Sequence, residues 1–192
     1  MSRRGAMQTV DALKRLPGKV RWRLRGEQNL DELRRRGVRL GPQVYVGAGT
    51  FIDIDFAWLV SIGERSVLSA GVMVLAHDAS TKMALGYSRV APVEIGERVF
   101  VGARTVILPG VRVGDDVIIG GGSVVRHDIP AGTVAAGNPA RPIAQTIEYN
   151  ERHRAGLQTR PVWDRNWLWD RISPEQREAM RGALHDGEGY VP

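Results

Sequence analysis

The sequence of 192 residues contains no cysteine, and it has no apolar run of the roughly 18 residues that a membrane-spanning helix needs. Without cysteine there can be no disulfides, thiolate nucleophiles or cysteine-bound zinc, and we expect a reducing, cytoplasmic setting. Residues 1–19 carry charge with no apolar core after it, which does not fit a secretory signal. Histidine is also scarce, so an imidazole-dependent reaction has few candidates: His77, His127, His153 and His185.

Basic residues are concentrated at the N-terminus. The formal net charge of the chain is +6, yet residues 1–39 contain 12 Lys and Arg against 4 Asp and Glu. The simplest interpretation is a solvated helical face, and the functional alternative is attraction to an acidic membrane surface or to anionic glycan carriers. No nucleic-acid-binding motif accompanies the charge, so we expect no nucleic-acid partner.

Aliphatic residues recur at every sixth position over residues 93–125. Glycine follows four of these anchors, and a small or β-branched residue precedes each anchor by two positions. An α-helix would spread such a period around its surface, and a simple strand would alternate by two. A short strand followed by a tight turn fits both features, and three such units close one triangular coil of a parallel β-helix. The anchors are Ile95, Val101, Ile107, Val113, Ile119 and Val125.

The same period extends back to residue 40 with two interruptions. The step from Ile52 to Ile62 covers ten residues instead of twelve, and the step from Val74 to Ile95 covers 21 instead of 18. Interruptions of a solenoid tend to carry function, because loops tolerate insertion. Twelve anchors in all predict about four coils, and the remaining ones are Leu40, Val46 and Leu68.

Residues 107–130 and 135–143 resemble the closing coils of the hexapeptide-repeat acyltransferases, and within that family the sugar O-acetyltransferases of the galactoside, maltose and nodulation type. The resemblance covers residues 40–143. It implies a mainly β fold, a left-handed parallel β-helix, assembled as a homotrimer with acceptor sites between subunits. It also implies transfer of an acetyl group from acetyl-CoA to a hydroxyl of a sugar or polysaccharide precursor, without a metal. Only the resemblance implies left-handedness, because parallel crossovers are generally right-handed.

His77 is the one histidine within an interruption of the repeats. A sugar hydroxyl is a poor nucleophile at neutral pH, and it needs a base within hydrogen-bond reach, a task that suits an imidazole. The family has its catalytic histidine at the matching position, so the resemblance implies that His77 is the general base. The residue alone would also fit a solvent-facing loop histidine.

The acceptor candidates lie beside the two interruptions. Asp53 and Asp55 alternate along a predicted strand, and we expect both to face the same side. The resemblance assigns Asp53, with Asp55 as second choice, to binding the acceptor or to a place near the catalytic histidine of the neighbouring chain. Trp58 would stack on a sugar ring, or else pack in the core or a trimer interface. Asp78 would steer the ring of His77, or else cap a turn.

The donor, acetyl-CoA, is expected along a groove near the C-terminal coils. The resemblance assigns Ala103 and Gly121 to the pantetheine arm, where small residues allow close approach to the backbone. It assigns Arg126, His127 and Arg141 to the phosphates and the adenine. The family usually has Thr-Lys at positions 126 and 127, and Arg126 keeps the positive charge in this sequence.

Three segments are predicted: a basic helical segment at 1–39, the catalytic β-helix at 40–143, and a helical extension at 144–192. The first segment should cover the open first coil, which would otherwise expose sheet edges and core. A helix should begin near Ser173, which is followed by Pro174 and, three residues after the cap, by Gln176. Apolar residues at helical spacing in the first segment are Val10, Leu13, Leu16, Leu30 and Leu33, and the extension concentrates Trp163, Trp167 and Trp169.

Three alternative functions remain open. An N-acetyltransferase acting on a nucleotide-linked amino sugar would share the fold and the donor. A zinc lyase similar to the γ-class carbonic anhydrases needs three histidine ligands, whereas the repeats offer only His77 and His127. A non-catalytic β-helix scaffold would require neither His77 nor the residues of the donor groove.

Overall fold

Short strands stack in three columns along the repeats, one column on each side of a triangular prism. The computed structural model describes residues 28–168 and 171–192. Each complete coil contributes one strand to each column, and a tight turn separates one strand from the next. The strands within each column are parallel except for the last pair of sheet B, so the parallel β-helix predicted from the six-residue period is confirmed.

The strands fall into three main sheets and one separate hairpin. Sheet A contains β1 (Arg39–Leu40), β4 (Val60–Ile62), β9 (Val93–Ile95) and β12 (Arg112–Val113). Sheet B contains β2 (Tyr45–Val46), β5 (Val67–Leu68), β10 (Phe100–Val101), β13 (Ile118–Ile119), β15 (Thr133–Gly137) and the antiparallel β16 (Ala140–Gln145). Sheet C contains β3 (Phe51–Ile52), β6 (Met73–Val74), β11 (Val106–Ile107) and β14 (Val124–Val125). The hairpin pairs β7 (His77–Asp78) with β8 (Arg89–Val90).

The aliphatic anchors form the core of the prism. All of them are buried except Leu40 and Val46 of the first coil, which are half-buried. The residue two positions before each anchor also points inward, and where it carries a hydroxyl, that group is hydrogen-bonded. Ser66 Oγ, for example, donates to the carbonyl oxygen of Gly96 at 2.8 Å. The buried polar groups of the repeats are thus satisfied within the core.

Glycine follows many anchors because successive coils approach very closely at the turns. A Cβ built on Gly63 would lie 2.6 Å from the carbonyl carbon of Gly96 in the next coil. One built on Gly41 would lie 2.6 Å from the backbone nitrogen of Glu64. No side chain fits at these distances, so the recurrent glycine seen in the sequence is a requirement of coil stacking.

The outward faces of the three sheets differ in polarity. Sheets B and C present apolar side chains toward solvent, whereas sheet A presents polar and charged ones. An apolar sheet face that remains in contact with water is typical of an interaction surface. In register order, the outward residues are Tyr45, Val67, Phe100 and Ile118 on sheet B, Phe51, Met73, Val106 and Val124 on sheet C, and Arg39, Ser61, Glu94 and Arg112 on sheet A.

A short helix covers the open end of the first coil. Helix α1 (Leu30–Arg35) begins at Asn29, whose side chain accepts hydrogen bonds from two backbone N–H groups of the first turn. Leu33 of this helix is buried in the core, and Gln28 hydrogen-bonds to both the N–H and the carbonyl of Ile52. The rest of the predicted N-terminal helical segment, with Val10, Leu13 and Leu16 and most of its basic residues, lies outside the described residues.

Both interruptions of the repeat leave the prism at the same corner. The first follows β3 and contains a 3₁₀ helix at Ala57–Leu59 before the chain enters sheet A. The second follows β6 and contains the β7–β8 hairpin, with helix α2 (Lys82–Leu85) at its tip. Because β3 and β6 are neighbours in sheet C, the two interruptions lie one above the other.

The chain divides into two compact units between Thr146 and Ile147. Helix α3 (Thr146–Gly156) leads into the second unit, which contains a 3₁₀ helix at Arg165–Trp167 and helix α4 (Pro174–Ala183). Helix α4 begins with the predicted capping box of Ser173 and Gln176. Within this unit the rings of Trp163 and Trp167 lie 6.0 Å apart, and Trp169 is outside the described residues.

Candidate functional site

The two interruptions bring a histidine and an aspartate together at the corner between sheets C and A. Nδ1 of His77 lies 2.5 Å from Oδ2 of Asp53. Asp53 follows β3 and His77 follows β6, and these strands pair with Ile52 opposite Val74. These residues are 24 positions apart and meet within one chain, because one coil lies directly on the other. The resemblance had implied a histidine of the neighbouring chain.

The carboxylate of Asp53 is completely buried and has four hydrogen-bond donors. Oδ1 accepts from the backbone N–H groups of Asp55 and Phe56, and Oδ2 accepts from the N–H of Ala76 and from His77. Burial alone would raise the pKa of the Asp53 carboxyl. The hydrogen bonds from His77, Ala76 and Phe56 outweigh burial and hold this pKa below its usual value. The side chain is therefore a buried anion at neutral pH.

An ionised Asp53 determines which nitrogen of His77 carries the proton. A carboxylate can only accept, so Nδ1 of His77 must donate, and the neutral ring then has its lone pair on Nε2. The side chain of His77 is 31% exposed, and its ring packs against that of Phe56 at a centroid distance of 5.3 Å. Among residues 28–168 and 171–192, Nε2 has no hydrogen-bond partner. The arrangement presents an oriented, partly exposed basic nitrogen to solvent.

Asp55 does not share the environment of Asp53, so the prediction that both face one side is wrong. Strand β3 ends at Ile52, and the chain turns immediately afterwards. Asp53 folds inward and accepts the backbone N–H of Asp55 at 3.1 Å, while Asp55 itself is exposed. The alternation of a strand cannot continue through a turn whose own N–H groups bond to the first aspartate.

Trp58 lies at the surface near His77, which rules out the core position that the sequence left open as one alternative. Its ring is 5.8 Å from Phe56, which in turn contacts His77, and the residue is 56% exposed. Together Phe56 and Trp58 form an aromatic ledge beside the imidazole. Phe56 was missed from the sequence, although an aromatic residue three positions after Asp53 was a visible signal.

Asp78 caps a turn, which was the alternative to steering the ring of His77. Its Oδ1 accepts the backbone N–H of Ser80 at 2.8 Å, and Oδ2 lies 3.9 Å from Nη1 of Arg89 across the β7–β8 hairpin. The hydrogen bonds from Ser80 hold the pKa of Asp78 below its usual value. Asp78 is therefore occupied in shaping the loop that follows His77.

The predicted donor residues lie at two different corners of one chain. Ala103 and Gly121 precede strands of sheet C and stack on each other, with a Cβ built on Gly121 lying 3.2 Å from the carbonyl oxygen of Ala103. Arg141 pairs with Ala136 at the same corner, between sheets B and C. Arg126 and His127 follow β14 and so lie at the opposite end of the sheet C strands. His77 and Asp53 share this second corner. All five predicted donor residues are exposed.

Two family descriptions match the repeats. "Bacterial transferase hexapeptide (six repeats)" matches residues 92–127, and "Hexapeptide repeat of succinyl-transferase" matches residues 60–76. Both matching models describe hexapeptide repeats of transferases, and together they cover part of the β-helix. None of the helices within the described ranges is long and apolar enough to cross a bilayer. The same residues contain no group of three His, Asp or Glu side chains that could hold a metal ion.

Named relatives of this chain include acetyltransferases. It is 33% identical over 115 residues to the Bacillus subtilis protein YvoF, which is provisionally named an acetyltransferase; the match covers 60% of this chain and 64% of YvoF. It is 32% identical over 123 residues to the galactoside O-acetyltransferase of Escherichia coli, covering 59% of this chain and 58% of the relative. The chain thus spans less than two thirds of either curated relative.

A solved structure supports the same family. The polySia specific acetyltransferase NeuO superposes with a TM-score of 0.50 at 25% identity, covering 64% of this chain and 63% of that chain. The resemblance to hexapeptide-repeat acyltransferases that the sequence indicated is therefore confirmed. So is the fold class, a left-handed parallel β-helix with helices at its ends.

Proposed function

We propose that the protein is an acetyl-CoA-dependent O-acetyltransferase that transfers an acetyl group to a hydroxyl of a sugar or a polysaccharide precursor. The contact between His77 Nδ1 and buried Asp53 carries this proposal, because it leaves the other ring nitrogen oriented and free to accept a proton. The similarity to the galactoside O-acetyltransferase supports the same chemistry.

In the proposed reaction His77 acts first as a base and then as an acid. Nε2 takes the proton from the acceptor hydroxyl as that oxygen bonds to the thioester carbonyl carbon. The same nitrogen then returns the proton to the sulfur as the carbon–sulfur bond breaks, so charge and protons balance. Asp53 holds the ring in one orientation and stabilises the transient imidazolium with its negative charge. Because Asp53 is already buried and ionised, no rearrangement is needed between the two steps.

The acceptor would lie against the exposed aromatic ledge beside the imidazole. A pyranose ring has an apolar face that packs on aromatic side chains, and Trp58 presents such a surface. Asp55 is exposed in the same turn and can accept hydrogen bonds from sugar hydroxyls. The ledge thus supports a sugar as the acceptor.

The residues at the two corners of sheet C fit a donor shared between copies of the chain. The stacked Ala103 and Gly121 leave an open strip of backbone for the pantetheine arm of acetyl-CoA. The exposed Arg126 and His127 suit the phosphates of the same molecule. Within one chain these residues lie at opposite ends of the sheet C strands. A donor touching both groups would need the corner of a second copy beside the first.

A homotrimer satisfies this requirement. Two adjacent faces of the prism, sheets B and C, carry outward apolar residues such as Phe100 and Met73, whereas sheet A is polar. Packing sheet B of one copy against sheet C of the next is a heterologous contact that closes into a ring of three when the faces meet at about 60°. If the faces are offset so that the edge between sheets B and C of one copy lies against sheet C of the next, this packing would place the Ala103 corner of one copy near the His77 corner of its neighbour.

Replacing the base tests the function. We expect His77→Ala to lower turnover by about 10²- to 10⁴-fold in a thiol-release assay with acetyl-CoA and a panel of hydroxyl and amino sugars. The thermal shift given by CoA should remain, because the residue does not hold the donor. His185→Ala is the matched control, since His185 is an exposed histidine paired with Asp186 in the other compact unit. Retained turnover in His77→Ala, or no stabilisation of the wild type by millimolar CoA, would reject the proposal.

A further inference from the structure

An arginine occupies a glycine position at the corner between sheets B and C. In each of four coils, the turn at this corner contains one residue with a positive φ: Gly49, Gly71, Arg104 and Gly122, at 71°, 72°, 59° and 70°. Residues with a Cβ are strained in this region, and glycine is not. The backbone requirement explains the three glycines but not Arg104, whose side chain must account for its presence.

The opposite case appears at the corner between sheets A and B. There four coils have positive-φ residues with side chains, Gln43, Arg65, Arg98 and Asp116, and only the last coil has a glycine, Gly132. The four side chains bond in two pairs from coil to coil. Nε of Arg65 donates to Oε1 of Gln43 at 3.2 Å, and Nε of Arg98 donates to Oδ1 of Asp116 at 2.7 Å. Arg104 is exposed, and within the described part of the chain it makes no hydrogen bond or ion pair. Its guanidinium is available for a ligand.

The side chain of Arg104 leans toward the coil that contains the base. A Cβ built on Gly71 would lie 3.4 Å from Cγ of Arg104, whereas one built on Gly122 would meet nothing within 4 Å. Gly71 belongs to the coil that continues through β6 to His77, and Gly122 belongs to the coil that continues to Arg126. The aliphatic part of the Arg104 side chain therefore leans toward the level of His77 and away from the level of the cations proposed for the donor phosphates.

We propose that Arg104 binds an anionic group of the acceptor, a carboxylate or a phosphate, and so makes the enzyme selective for acidic acceptors. The inference rests on the proposed function and its trimer, in which this corner faces the His77 corner of a neighbouring copy at the same coil level. A guanidinium donates two parallel hydrogen bonds to either anion, so both have the chemistry that Arg104 would recognise.

The test is a comparison of acidic and neutral acceptors in thiol release. The panel contains matched neutral sugars, uronic acids and sugar phosphates. We expect Arg104→Gly to lower the ratio of kcat/KM for acidic over neutral acceptors by about tenfold or more, as loss of a charge-assisted pair implies. Arg104→Lys should retain part of that ratio, and KM for acetyl-CoA should change by less than about twofold. The control is Arg65→Gly, which removes an exposed positive-φ arginine at the other corner.

The outcomes separate this inference from the function on which it rests. A selective loss on uronic acids assigns a carboxylate to Arg104, and a selective loss on sugar phosphates assigns a phosphate. An unchanged selectivity ratio in Arg104→Gly, an equal change in Arg65→Gly, or a loss confined to KM for acetyl-CoA would overturn the role of Arg104 and leave the transferase standing. No thiol release by the wild-type protein with any acceptor would overturn the transferase itself.

Discussion

Asp53 and His77 contact each other through one turn of the β-helix. Strands β3 and β6 pair in register, with Ile52 opposite Val74, and the two side chains emerge just after these strands. The backbone N–H of Ala76, next to His77, bonds to the same carboxylate oxygen as the imidazole. The aspartate therefore holds both the ring and the backbone that carries it, which makes the pair a rigid unit.

Neutralising Asp53 should impair turnover more than binding. Asp53→Asn retains the shape of the side chain but removes the charge that stabilises an imidazolium. A charge-assisted hydrogen bond is about twice as strong as a neutral one, so we expect kcat to fall by at least about tenfold, with KM values nearly unchanged. Steady-state thiol release measures both parameters.

The control for this variant is Asp115→Asn. Oδ1 of Asp115 accepts the backbone N–H of Glu97 at 2.8 Å on the far side of the prism from His77. Its neutralisation should leave kcat within about twofold of wild type. A loss in Asp53→Asn no larger than that in the control would exclude a role of Asp53 in orienting the base.

The lowered pKa of Asp53 predicts a specific dependence of stability on pH. Because the folded-state pKa lies below the unfolded value of about 3.9, ionised Asp53 stabilises the fold at pH above about 4. That contribution disappears as the pH falls through the folded-state pKa. The melting temperature of the wild type should therefore decrease more steeply below pH 4 than that of Asp53→Asn, as differential scanning calorimetry would measure. Parallel curves of melting temperature against pH for the two proteins would contradict the lowered pKa of Asp53.

A charge on sheet B should break the proposed trimer. Phe100 points outward from the middle of this sheet and is 44% exposed. An unpaired charge buried at an interface costs about 3–5 kcal/mol, so Phe100→Glu should weaken assembly by roughly 100-fold or more. Light scattering after gel filtration reports the mass. Ser61→Glu on polar sheet A should remain trimeric, and a monomeric wild type would refute the assembly.

Shortening Trp58 should weaken acceptor binding without affecting the donor. Stacking between a ring and an aromatic side chain contributes about 0.5–1.5 kcal/mol beyond its buried area. We therefore expect Trp58→Ala to raise KM for sugar acceptors roughly 3- to 10-fold, while KM for acetyl-CoA stays constant. A change of oligomeric mass in this variant would instead assign Trp58 to the trimer interface.

The sequence by itself determined the β-helix, because the same six-residue pattern recurs in coil after coil. Each anchor such as Ile107 or Ile119 specifies the same strand and turn, and the closely stacked turns require glycine at a fixed phase. The two breaks in this phase also located the corner at which Asp53 and His77 meet. Local signals also sufficed for the helix start at Ser173, because its capping box involves only residues near one another in sequence.

Only the tertiary structure decided what lies within the interruptions. Once the period is lost, sequence spacing no longer specifies which way a side chain points. Asp53 and Asp55 were therefore wrongly expected to face one side, whereas one is buried and the other is exposed. The contact between Asp53 and His77 depends on the stacking of two coils, and the isolation of Arg104 on the absence of partners in neighbouring coils within the described residues. Such contacts join residues of different coils, and the spacing of residues along the sequence does not reveal them.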